Sequence, residues 1–145
     1  MRSAMELHSL FLSKSAIQTL IRDVLQCGCP ETVFADVRIG VPALFDTHTV
    51  DGGLEILVGQ RLLVTLVPLA ALVDPAEAIC SILRAGRAVR DTHGLNRFRL
   101  VVVGSPGPAM RRRCEELAVS LEDGVHLHLL EERDLEMECK SAQSN

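Results

Sequence analysis

The sequence predicts an α/β domain in which a mixed β-sheet is flanked by helices. Three observations carry that expectation. Residues 54–58 and 61–67 are two apolar runs separated by Gly59-Gln60, a hairpin signature. Asp74-Pro75 opens a stretch whose apolar residues recur at helical spacing. Residues 99–104 (RLVVVG) form a continuous Val-rich run, as in a central strand covered on both faces, and a second helix and a last strand follow it.

In chain order, residues 7–12 (LHSLFL) read as a short first strand. Ser15 starts a helix with Ile17, Leu20, Ile21, Val24 and Leu25 on one face, and Gly28 ends it. Residues 32–39 alternate Val33, Ala35, Val37 and Ile39 on one side of a half-buried strand, with Phe34 interrupting the other side. The turn-rich residues 46–53 lead into strands 54–58 and 61–67. In the next helix Asp74 is the expected N-cap, Pro75 takes the first helical position and Glu77 sits in the first turn. Ile79, Ile82, Leu83 and Val89 share one side, and the helix ends before Gly94. Gly86 lies on that same side; a mid-helix glycine costs roughly 1 kcal/mol against alanine, so its presence predicts close packing. After the central strand, Ser105-Pro106-Gly107-Pro108 starts a helix with Met110, Cys114, Leu117, Ala118 and Leu121 inward. Residues 125–130 (VHLHLL) form the last strand, giving the order β-α-β-β-β-α-β-α-β. A hairpin followed by strand–helix–strand units gives one mixed sheet. Neither a repeat nor a low-complexity linker divides the chain, so residues 5–138 are expected to form a single domain and residues 139–145 a polar tail.

The composition of the 145 residues narrows the functional classes: 48% are apolar and 23% charged, the balance of a chain that buries a core. No stretch approaches the roughly 18 apolar residues of a membrane helix, and the N-terminus lacks a signal-peptide pattern, which predicts an intracellular protein. A net charge of −4 argues against coating nucleic acid by bulk charge, and with no Trp or Tyr and four Phe there is little to stack bases upon. The five cysteines are odd in number and scattered, as free thiols would be.

Motifs with chemistry are sparse. The turn at Gly104-Ser105-Pro106-Gly107 lies between a strand and a helix, where amides can hold an anion, but it lacks a P-loop lysine and three-glycine spacing. Cys27-Gly28-Cys29 has no second pair at zinc-like spacing, and His126 and His128 read as histidines on a solvated strand face. Cys80 and Cys114 read as small hydrophobes near or on helix faces, and no GxSxG elbow is present. No metal, catalytic group or cofactor is expected.

Residues 53–90 resemble the nuclease domain of the XPF family, structure-selective DNA endonucleases and their inactive relatives. Leu54-Glu55-Ile56-Leu57 is similar to the strand that carries a GDY-like acidic residue, and residues 64–72 (VTLVPLAAL) to the ERKxxxD segment. Residues 82–87 (ILRAGR) are similar to the family's following helix in position and character. Similarity in element order spans most of the chain; at residue level it is confined to about 54–104. The resemblance implies a restriction-endonuclease-like sheet. Phosphodiester cleavage needs carboxylates to hold Mg²⁺ and usually a lysine near the attacking water. Here Thr65, Leu66 and Val67 replace the ERK positions and Ala71 the later Asp, leaving only Glu55; Asp46 and Asp51 read as turn formers. The implied protein is therefore not an enzyme. It is similar to the inactive half of a heterodimer, or to small XPF-like proteins of repair and meiotic crossover complexes in the nucleus, with a related nuclease-like or scaffold subunit as partner. Such relatives usually carry a helix-hairpin-helix module after this domain; the residues given end too soon for one, so independent tight DNA binding is not expected of them.

Direct DNA contact stays open. Arg84, Arg87 and Arg90 recur on one helical stripe, Arg111, Arg112 and Arg113 lie in the first turns of the third helix, and Arg97 and Arg99 flank the central strand. The plainer alternative is a solvated face balanced by Glu115, Glu116, Glu131 and Glu132. Two other readings compete. One is the structural, non-catalytic subunit of a tRNA-splicing endonuclease, which Leu57-Val58-Gly59 and residues 65–90 also resemble but which would lack the helix at 108–121. The other is an enzyme using the turn at 104–107.

Overall fold

Alternation between two buried faces sets the sheet. The computed structural model describes Ile17, Thr19–Val24 and residues 36–40, 53–72, 74–121 and 123–131. Within them run β1 (Val37–Gly40), β2 (Leu54–Val58), β3 (Leu62–Pro68), α1 (Pro75–His93), β4 (Arg97–Val103), α2 (Pro108–Ser120) and β5 (Val125–Leu130). The sheet order is β1-β2-β3-β4-β5: β1 to β3 form an antiparallel meander, and β4 and β5 join in parallel, each after a helix. Parallel neighbours need a crossover connection, which is the role α1 and α2 fill. The protein is thus α/β, with a five-stranded mixed sheet flanked by helices. The expected strand at 7–12, Cys27, Cys29, Cys139, Asp46, Asp51 and Glu132 lie outside the described residues.

The hairpin turn at Gly59-Gln60 forms as its residues predict. Both adopt positive φ (58° and 54°), and the Arg61 amide donates to the Val58 carbonyl at 3.0 Å.

Successive residues of β3 point to opposite sides, and all seven are buried. Leu62, Val64 and Leu66 join Leu54, Ile56, Val58, Val101 and Val103 under Ile17, Leu20 and Ile21. Leu63 and Val67 join Phe98, Leu100 and Val102 under Ile79, Ile82, Leu83 and Val89 of α1 and Cys114 of α2. Both crossover helices therefore cover one face, and the segment at Ile17–Val24 covers the other. That segment carries π-helical hydrogen bonding over Thr19–Val24.

On α1, Pro75 takes the first turn and Gly94 closes the helix at φ 68°, its amide bonded to the Arg90 carbonyl. Asp74 occupies the cap position through its backbone: its carbonyl accepts the Ala78 amide at 2.8 Å, while its carboxylate makes no capping bond. Gly86 fits because the Phe98 ring lies where a β-carbon would stand. On α2, Cys114 is buried and Met110, Leu117 and Leu121 pack at the margin, but Ala118 is exposed rather than inward. Ala118 instead lines a surface groove beside Leu127 and Leu129 of β5.

Candidate functional site

Glu55 and the ERK-like positions meet in the β2–β3 pair. Glu55 stands directly opposite Thr65, and both project to the face covered by α1 and α2. Around them lie Leu57, Leu63 and Val67, while Leu66 points into the opposite core and Ala71 sits in a half-buried 3-10 turn, Leu69–Ala71. Thr65 is 2% exposed, and its hydroxyl has no hydrogen-bond partner among the described residues. Leu57, Leu63 and Val67 give the spot mostly aliphatic neighbours. One carboxylate supplies at most two oxygen donors, whereas Mg²⁺ is held by several oxygens at octahedral positions. No group of three or more His, Cys, Asp or Glu side chains among the described residues is arranged to hold a metal ion.

The arginines divide into separate places. Arg84 and Arg87, both exposed on α1, line an open cleft of about 220 Å³ with Leu83, Ser120, Leu121 and Val125, between α1, the C-terminal end of α2 and the start of β5. Arg90, on the same stripe, is a structural clamp. Its Nη1 donates to the Asp123 carbonyl at 2.9 Å, and its Nε and Nη2 donate to Asp91 at 3.2 and 3.0 Å, leaving the side chain 14% exposed. Arg111, Arg112 and Arg113 are exposed at the other end of α2, roughly 12 Å along the helix from Ser120 at 1.5 Å per residue. Arg111 turns to the outer groove of about 200 Å³ beside Cys114, Glu115, Ala118, Leu127 and Leu129, and pairs with Glu131 at 3.6 Å. That pair is one of the charge balances the sequence suggested.

Arg99 corrects a sequence expectation. It is 4% exposed and points into the face opposite α1 and α2, so it does not reach a phosphate backbone; Arg97, at the strand start, is exposed. The period-two alternation of β4 carries Arg99 inward beside Val101 and Val103.

His126 and His128 share that face from β5, and they are half-buried rather than solvated. Arg99 Nη1 lies 2.9 Å from His128 Nε2. Arginine only donates, so this contact requires Nε2 to accept and the neutral ring to carry its proton on Nδ1. Burial, then the Arg99 guanidinium, then His126 depress the His128 pKa to about 4. His126 is also lowered, by burial and then by Arg99 and Arg97, with Asp123 opposing. The histidine rings are 6.4 Å apart between centroids. This buried cation–histidine cluster was not legible from residue order, because only strand register places residues 99 and 128 side by side.

Cys114 behaves as the sequence suggests: buried, with burial raising its thiol pKa above the ordinary range, so it stays protonated. Cys80 is half-buried and free. At the turn at 104–107, Gly104 adopts φ 154° with the Leu69 side chain packed close to its α-carbon, and its amide donates to the Leu130 carbonyl. That amide is thereby occupied in joining β4 to β5. No helix in the described residues is long and apolar enough to cross a membrane. Comparison with known protein families, characterised proteins and solved structures finds no match to this chain.

Proposed function

We propose that the protein is a non-catalytic, nuclease-like interaction subunit of a nuclear DNA repair or recombination complex, with a restriction-endonuclease-like sheet. It pairs with a related nuclease-like or scaffold subunit. Any DNA contact falls to its exposed arginines, Arg84, Arg87, Arg112 and Arg113.

The observation that carries the reading is the register of Glu55 against Thr65. An antiparallel meander leading through β3 into α1 puts the acidic residue of one strand beside the residue where the resembled family has its charged segment. At that neighbour stands a buried threonine, and at the next same-face position Val67, which is 1% exposed. Neither replaces a carboxylate or a lysine. A lone acidic residue with neither a second carboxylate nor a lysine on the neighbouring strand suits a scaffold role better than hydrolysis. Exposed cations on α1 and α2 and an open apolar-floored cleft leave surface for a partner.

Purified protein is expected to leave branched DNA intact with Mg²⁺ or Mn²⁺. Cleavage that requires the metal and disappears in Glu55→Ala would overturn the proposal. Affinity capture with mass spectrometry is expected to recover repair or recombination subunits. Recovery of tRNA-splicing endonuclease subunits would replace this reading with the RNA-processing one.

A further inference from the structure

We draw no further inference here: the strongest candidate, the open cleft between α1, the C-terminal end of α2 and the start of β5, has charges of both signs about it, with Arg84 and Arg87 among its lining residues and Glu122 and Asp123 adjoining them in sequence, and nothing in the structure shows what covers it.

Discussion

At the scale of single residues, Gly86 and His128 are held by contacts that substitution can measure. Gly86 has no room for a β-carbon, because the fully buried Phe98 ring occupies that space. Overpacking costs about 1–3 kcal/mol, and alanine's better helix propensity returns roughly 1 kcal/mol. Gly86→Ala is thus expected to lower stability by up to about 2 kcal/mol, read from the urea midpoint, and Phe98→Leu in the same chain should recover part of the loss. An unchanged midpoint would mean the ring moves aside freely. His128 makes stability depend on pH. Its folded pKa of about 4 lies below the ordinary 6.5, so the unfolded chain takes up the proton first as pH falls. The stability from the neutral ring is fully present above pH 6.5 and is lost between 6.5 and about 4, up to about 3 kcal/mol in all. His128→Gln keeps an acceptor for Arg99 but does not titrate, and urea titrations across that interval should show a flatter profile. An equally steep loss in the variant would place the titration elsewhere.

At the scale of elements, α1 shows what a sequence reveals and what it withholds. Its Pro75 start, its apolar stripe and its Gly94 stop are all local signals, and the structure keeps each of them. The hairpin at Gly59-Gln60 and the Val-rich β4 were legible for the same reason, being written in neighbouring residues. Ala118 was misplaced because helical spacing tells which residues share a side, not how wide a surface that side meets. Arg90 was counted with Arg84 and Arg87 because all three share a stripe; that its guanidinium closes the turn into β5 depends on contacts across more than thirty residues. Its bond to the Asp123 carbonyl is that of a charged donor in a mostly covered place, whereas the pair with exposed Asp91 adds little. Arg90→Ala is expected to lower stability by about 1–2 kcal/mol. The loosened turn should also speed hydrogen exchange at the Phe98 amide, which donates to the Gly124 carbonyl. Wild-type exchange at that amide in the variant would show that the turn holds without the clamp.

At the scale of the whole molecule, the sheet ties two cores into one structure. The Arg99–His128 contact and the cleft at Arg84 were not legible in the sequence, because both arise from pairings between distant segments. Since β3 gives Val64 and Leu66 to one cluster and Leu63 and Val67 to the other, neither face can melt without exposing the strand they share. Leu66→Ala and Ile79→Ala, on opposite faces, are each expected to cost about 2–5 kcal/mol by leaving a cavity in a fully buried site. Both should move one common unfolding transition, seen alike by far-ultraviolet circular dichroism and by hydrogen exchange of β3 amides. Because Leu66 and Ile79 lie in different clusters, their losses should add in the double variant. A biphasic melt in which Leu66→Ala moves one step and Ile79→Ala the other would show that the faces unfold independently and that β3 does not couple them.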